Sequence, residues 1–278
     1  LDGTSVAGLP PPRGRLIFEG KSVLTDDCVY PIPQGVVMSF LDCKRVLVFS
    51  AHAADFCSRA GGTIARFVDA EAIVHIHDLS YGERCEAPAL YALDPTPSLD
   101  EIKALRKEEI ERAASILGAT IDCFDFGDCP LLLGPERRLQ IVDAVRAFEP
   151  DLILCHWIDD ILHPDHVETA QAVLWARTYC DVPGLQTEHA PCAVPKYVCY
   201  EAQLATSPVT KFLPDFYVNI DVTMERKVLA MSKLAAQPSL VEQYSVLAKY
   251  RGLEAQIIAG MKECTHAEGF VRIGKEAM

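Results

Sequence analysis

From residue 45 onward, short apolar runs of strand length alternate with longer segments in which apolar residues follow the helical period. The first run, Arg45–Ser50, is rich in valine and typical of a buried parallel strand. Parallel strands need a crossover between them, so the alternation predicts an α/β fold with a mostly parallel sheet and helices on both faces. Predicted strands cover residues 45–50, 72–79, 120–126 and 151–157, and predicted helices cover 60–69, 99–117, 136–148 and 166–180.

Beyond residue 180 the alternation is less regular. This part contains predicted strands at 196–201 and 215–220 and predicted helices at 222–234 and 240–258. No linker or internal repeat divides the chain, so we expect one domain over residues 44–278. Prolines interrupt residues 1–43 in two places, which predicts an extended N-terminal arm.

The charge balance narrows the class of partner. The chain of 278 residues has 26 Lys and Arg against 39 Asp and Glu, a net charge of −13. Such an acidic chain is a poor binder of nucleic acid or of anionic membranes. No apolar stretch approaches the ~20 residues of a membrane span, and the 11 cysteines form no C-x-x-C pair. We therefore expect a cytoplasmic protein with reduced thiols that acts on small molecules. The sequence leaves open whether the protein forms a homo-oligomer.

Polar side chains follow three of the predicted strands directly. They lie in the segments 50–55, 80–86 and 156–166. Because ligands bind outside the carboxyl ends of the strands in an open α/β sheet, we expect these segments to form one site.

Two histidine-containing pairs in these segments have the same spacing. His52 and Asp55 are three residues apart, as are His163 and His166. In the first turn of a helix that spacing places two side chains on one face. Two imidazoles and one carboxylate suit Zn²⁺ with a coordination position left open, and such an ion activates water near neutral pH.

The chain resembles the LmbE-like, or PIG-L, superfamily. The resemblance rests on Ser-Ala-His-x-x-Asp at 50–55, Gly61-Gly62, Arg106-x-x-Glu109, and His-Pro-Asp-His at 163–166. It implies a Rossmann-like fold and a zinc-dependent deacetylase of N-acetylglucosaminyl groups. It also implies metal ligation by His52, Asp55 and His166, with His163 stabilising or protonating a developing oxyanion.

One position departs from that superfamily. Its general base is the carboxylate just before the liganding aspartate, and that position is Ala54 here. A methyl group cannot accept a proton, and loss of a positioned base costs about 10²–10⁴ in rate. The changed loop, with Leu-Ser-Tyr-Gly-Glu-Arg at 79–84 and Phe-Gly-Asp at 126–128, resembles instead the 4-oxalomesaconate hydratases of gallate and protocatechuate catabolism. His163 departs from the pattern of that subgroup, so a different unsaturated acid is an alternative substrate.

Hydration of an unsaturated oxo-acid also needs a group that moves a proton. We predict Glu83 for this role, with His163 as the second candidate and Glu86 as a weaker one. The alternative for Glu83 is a salt bridge to Arg84 or Arg59. A di- or tricarboxylate substrate needs cations, and the predicted ones are Arg59, Arg84 and Arg106.

Three functions follow from these residues. The first is a zinc-dependent hydro-lyase resembling 4-oxalomesaconate hydratase. The second is amide hydrolysis of the superfamily type, with Glu83 or His163 as the base. The third is a catalytically inactive metal-binding protein.

Overall fold

Seven strands form a single sheet in the computed structural model, which describes residues 40–274. The strands are β1 (Arg45–Ser50), β2 (Ile73–Asp78), β3 (Thr120–Cys123), β4 (Leu152–Cys155), β5 (Lys196–Tyr200), β6 (Phe216–Asn219) and β7 (Ala267–Arg272). Their order across the sheet is β3-β2-β1-β4-β5-β7-β6. The strands β1 to β5 are parallel to one another, and β7 is antiparallel to both β5 and β6. The predicted α/β class and mostly parallel sheet are therefore confirmed.

Eight α-helices connect these strands within residues 40–274. They are α1 (Asp55–Asp69), α2 (Pro88–Leu93), α3 (Leu99–Leu117), α4 (Pro135–Phe148), α5 (Pro164–Tyr179), α6 (Ser207–Thr210), α7 (Met224–Met231) and α8 (Leu240–Ile258). None of the described helices is long and apolar enough to span a membrane.

The central strands β1 and β4 are apolar on both sides because helices cover both faces of the sheet. Val46 and Val48 of β1 point into a core that includes residues of α1, α3, α7 and α8. Leu47 and Phe49 point the other way, into a core with α4 and α5. This alternation within one six-residue strand explains why its sequence is a continuous apolar run.

The amino end of the described chain joins the core. Phe40–Asp42 forms a single 3₁₀ turn, and the Phe40 ring packs 5.0 Å from the rings of Phe67 and Phe216. Residues 1–39, which make up most of the predicted N-terminal arm, lie outside the described residues.

The last strand is a feature that the sequence pattern did not predict. β7 contains Glu268 and Gly269 among its apolar residues, and both are unusual inside a strand. Glu268 is nevertheless buried, because its carboxylate accepts hydrogen bonds from the backbone of Gly62 and Thr63 and pairs with Lys227 at 2.6 Å. The ion pair between Lys227 and Glu268, which are distant in sequence, therefore helps to hold β7 in the sheet.

The chain reverses its direction across the sheet between β1 and β4. β2 and β3 lie on one side of β1, and β4 and β5 lie on the other. At such a switch point the loops after the two central strands diverge and leave a crevice. The loop 51–54 after β1 and the loop 156–163 after β4 both meet at this crevice.

Candidate metal centre

His52 and Asp55 lie in the turn from β1 to α1. Asp55 Oδ2 accepts the backbone N–H of His52 at 2.9 Å, and Asp55 Oδ1 accepts a hydrogen bond from Arg59 at 2.5 Å. Burial works to raise the pKa of Asp55, but the Arg59 guanidinium and the His166 and His156 imidazoles outweigh it and hold that pKa well below its ordinary value. Asp55 is therefore an anion at neutral pH.

His166 reaches the same carboxylate from the first turn of α5. Its Nε2 atom lies 3.6 Å from Asp55 Oδ2, and His52 Nδ1 lies 3.4 Å from that oxygen. Donor atoms around a tetrahedral zinc ion are about 3.3 Å apart, given bonds of roughly 2.0–2.1 Å. The fold thus brings together the three side chains that the superfamily resemblance implies as metal ligands.

A carboxylate behind each histidine fixes which nitrogen faces the site. His52 Nε2 lies 3.2 Å from Asp165 Oδ2, and His166 Nδ1 lies 2.8 Å from Asp160 Oδ2. A carboxylate can only accept, so these nitrogens carry the protons. The opposite nitrogens, His52 Nδ1 and His166 Nε2, are buried and have no hydrogen-bond partner among residues 40–274.

These unpartnered nitrogens beside an anionic oxygen fit a divalent cation. Such carboxylate–histidine–metal arrangements are usual for zinc sites in proteins. Asp160 lies in the segment 156–166, which the sequence predicted to join the site, and Asp165 lies inside the His-Pro-Asp-His motif.

His156, the first residue after β4, is a further member that sequence reasoning missed. Its Nε2 atom lies 3.3 Å from Asp55 Oδ2 and accepts the backbone N–H of Ala51 at 2.9 Å. Its ring stacks on His166 with centroids 4.0 Å apart. Burial lowers the pKa of His156 to about 4, so the ring is neutral and holds the 51–54 turn against the loop after β4.

His163 lies on the open side of this cluster. Its ring stacks parallel to His166, with centroids 3.7 Å apart, and lies 4.9 Å from the His52 ring. Its Nε2 atom lies 3.3 Å from Glu86 Oε1, while its Nδ1 atom has no hydrogen-bond partner among the described residues. Gln237 in turn donates to the second oxygen of Glu86. His163 is thereby oriented by a carboxylate from the loop after β2.

Glu83 and Arg84 occupy the same loop after β2. Glu83 is fully buried, and its Oε1 atom accepts a hydrogen bond from Arg84 at 3.2 Å. Its Oε2 atom has no partner among residues 40–274, and burial raises the pKa of Glu83. The Arg84 side chain is 44% exposed. The salt bridge that the sequence offered as an alternative role for Glu83 is thus formed with Arg84, and Arg59 is bound to Asp55 instead.

Gly127 provides room for this pair. Its φ of +79° is in the left-handed region, and a Cβ atom there would lie 3.3 Å from Arg84 Nη1 and 3.6 Å from Glu83 Oε1. Glycine is therefore the residue that suits this turn.

The other two predicted cations are buried and already bound. Besides Asp55, Arg59 binds Gln203 at 3.1 Å. Arg106 is fully buried and donates to the Tyr81 carbonyl at 3.3 Å, to Glu109 at 2.6 Å and to Gln237 at 2.7 Å. These contacts hold Asp55 and the loop after β2 in place. Substrate binding by Arg59 or Arg106 stays a prediction that would require some of these bonds to open.

Comparison with known proteins shows the family to which this chain belongs. A family model described as PIG-L, GlcNAc-PI de-N-acetylase, matches residues 47–176. The chain is also 30% identical, over 229 residues, to a 4-oxalmesaconate hydratase of Pseudomonas putida, covering 81% of this chain and 88% of that protein. The chain belongs to the PIG-L, or LmbE-like, family.

Other members of the PIG-L family are similar as well. A diacetylchitobiose deacetylase of Thermococcus kodakarensis is 28% identical over 203 residues, 69% of each chain. The crystal structure of GalB, the 4-carboxy-2-hydroxymuconate hydratase of Pseudomonas putida KT2440, superimposes with a TM-score of 0.78 at 29% identity and covers 84% of this chain and 98% of its own. Both hydratases and deacetylases thus occur among enzymes of this fold.

Proposed function

We propose that the protein is a zinc-dependent hydratase that adds water to an unsaturated oxo-polycarboxylic acid, and that this acid is 4-oxalomesaconate. The observation that carries the proposal is Ala54. It directly precedes Asp55 and is 3% exposed, with its methyl group in the apolar core. The methyl side chain of Ala54 cannot accept a proton from water. The similarity to the hydratase of Pseudomonas putida supports the same conclusion.

Zinc would be held by His52, Asp55 and His166, and when bound it would supply Lewis-acid polarisation of substrate oxygens. The protein must then control the remaining proton. Hydration breaks one O–H bond of water, forms a C–O bond to one alkene carbon and forms a C–H bond at its neighbour. One side chain must therefore deliver a proton to carbon, and the proton that water loses replaces it.

Glu83 has the properties of that proton donor. Because burial raises its pKa, the carboxyl group keeps its proton more readily than an exposed glutamate would. Arg84, which binds Glu83 and is partly exposed, can hold a substrate carboxylate next to it. His163, oriented by Glu86, remains the second candidate and can stabilise negative charge that develops on a substrate oxygen.

The test uses the purified chain loaded with one equivalent of zinc. We expect it to remove the conjugated ultraviolet absorbance of 4-oxalomesaconate, and a chelator-treated sample to be inactive until zinc is restored. Glu83→Gln should retain zinc and lose turnover. Glu101→Gln, an exposed position of α3, is the matched control. Absence of any absorbance loss with zinc bound would overturn the proposed substrate.

Deacetylation is the second candidate, because the family model and the Thermococcus kodakarensis relative are of that kind. Release of acetate from N,N'-diacetylchitobiose by the zinc-loaded protein would favour it over hydration. The buried Ala54 leads us to expect no such release.

A further inference from the structure

A second set of donor atoms lies around Nε2 of His52, the ring nitrogen that does not face Asp55. Cys85 Sγ lies 3.8 Å from His52 Nε2. Donor atoms of His52, Cys85 and Asp128 all lie within 4.8 Å of one another. Asp165 Oδ2 lies 3.2 Å from the same nitrogen and is the next carboxylate oxygen that contacts it. We call His52 Nε2, Cys85, Asp128 and Asp165 the outer cluster.

Backbone hydrogen bonds hold both carboxylates of the outer cluster in place. Asp128, which is 1% exposed, accepts the N–H groups of Arg84 at 3.0 Å and Cys85 at 2.9 Å. Asp165 accepts the N–H groups of Cys129 and Leu131, each at 2.9 Å. A carboxylate has about four lone-pair positions, so both can bind a cation without losing these bonds. Cys85 is exposed, which gives an ion access from solvent.

We propose that the outer cluster binds a second, thiophilic divalent ion, with Zn²⁺ in excess or Cd²⁺ as the ions of this class, and that His52 bridges the two ions. Thiolate and imidazole donors select such ions over Mg²⁺ or Ca²⁺, which prefer oxygen. On binding, the thiol proton of Cys85 and the Nε2 proton of His52 pass to solvent. The thiolate and the two carboxylates then offset the charge of the ion.

A second ion would change the first site through shared residues. It would take His52 Nε2 away from its hydrogen bond to Asp165, which orients the imidazole. It would also fix Cys85, two residues beyond Glu83 in the loop after β2. We therefore infer that excess zinc inhibits the enzyme through the outer cluster.

The test titrates Cd²⁺ into protein that already holds one equivalent of zinc. Thiolate–cadmium charge-transfer absorbance and the bound metal, measured by elemental analysis, are recorded together. We expect the wild-type protein to bind one more ion than Cys85→Ser, with the matching difference in absorbance and the same retained zinc. Cys129→Ser, which removes an exposed cysteine near the same loops, should behave like the wild-type protein. Mg²⁺ should produce no change.

Equal cadmium binding and absorbance in the wild-type protein and Cys85→Ser would overturn the second site. So would a loss of the first zinc in step with cadmium uptake. These readouts do not depend on the proposed function. The activity measurement does: if the protein is a hydratase, excess zinc should inhibit the wild-type protein more strongly than Cys85→Ser.

Discussion

The Oδ2 atom of Asp160 lies 2.8 Å from Nδ1 of His166 and accepts the backbone N–H of Gln203 at the same distance. One carboxylate oxygen thus joins a metal-site histidine to the segment after β5. The substitution Asp160→Asn keeps the shape of the side chain but removes the negative charge that fixes the proton on Nδ1 of His166. We expect zinc affinity to fall about 10–100-fold, measured by competition with a chelating indicator. Asp159→Asn, at the exposed neighbouring position, should leave the affinity unchanged.

Replacement of either His52 or His166, whose ring nitrogens face Asp55, should abolish stable zinc binding. His52→Ala and His166→Ala are expected to purify without stoichiometric zinc and without activity, because two protein donors hold zinc poorly. His189→Ala changes a half-exposed histidine that pairs with Asp143 and is the control. Stoichiometric zinc in His166→Ala would contradict the assigned ligand set.

Zinc affinity should depend on pH through His52. Burial works to lower the pKa of His52, but the Asp165 and Asp55 carboxylates outweigh it and raise that pKa well above its ordinary value. Below this raised pKa the metal-free protein carries a proton that zinc must displace. Affinity should therefore rise as the pH rises through the neutral range and level off above the pKa of His52. Calorimetry in buffers of different ionisation enthalpy measures the released proton.

Asp165→Asn provides the comparison for that pH profile. Without the carboxylate, the pKa of His52 should fall, and the dependence of zinc affinity on pH should become shallower. An unchanged slope in Asp165→Asn would show that another group supplies the proton.

Substitutions of Glu83 and of Arg84 should have different effects, the first on turnover and the second on substrate binding. Glu83→Gln is expected to lower kcat by about 10²–10⁴ with little change in KM. Arg84→Ala, which removes the partly exposed cation, is expected mainly to raise KM for a polycarboxylate. Steady-state kinetics on zinc-loaded variants test both expectations, and an unchanged KM in Arg84→Ala would remove this residue from substrate binding.

The buried pair of Lys227 and Glu268 should make a large contribution to stability. The two side chains are 2% and 3% exposed and 2.6 Å apart. Lys227→Met would leave a buried carboxylate without its cation, so the free energy of unfolding should fall by about 3–5 kcal/mol. Urea denaturation measures the change. Lys233→Met, at an exposed position, should have little effect.

Local patterns predicted the central elements well because burial on both faces leaves a strong signal. The strand Arg45–Ser50 and the helix Leu99–Leu117 have the bounds expected from the sequence. α1 begins at Asp55 rather than at the predicted residue 60, since its first turn carries the polar residues of the site and lacks an apolar period. β7 was missed because the partner that makes Glu268 tolerable there is distant in sequence.

The sequence predicted that the proposed ligands lie close together, but it did not predict the residues that support them. His52, Asp55 and His166 occur in short recognisable motifs, so their convergence could be predicted from the carboxyl ends of β1 and β4. The contacts of His156 with Asp55 and of Glu86 with His163 join different loops. No local pattern encodes those contacts, because they depend on how the loops meet in three dimensions.

The position of β7 has a consequence for the order in which the protein can assemble during synthesis. β6 pairs only with β7 in the described part of the chain, and β7 separates it from β5. A ribosome completes β1, β4 and both histidine motifs long before residues 267–272 emerge. Until then β5 presents an unpaired edge, and α1 lacks the Glu268 carboxylate that binds its backbone. The nascent chain therefore contains all the residues of the candidate metal centre before the last two strands of its sheet can pair.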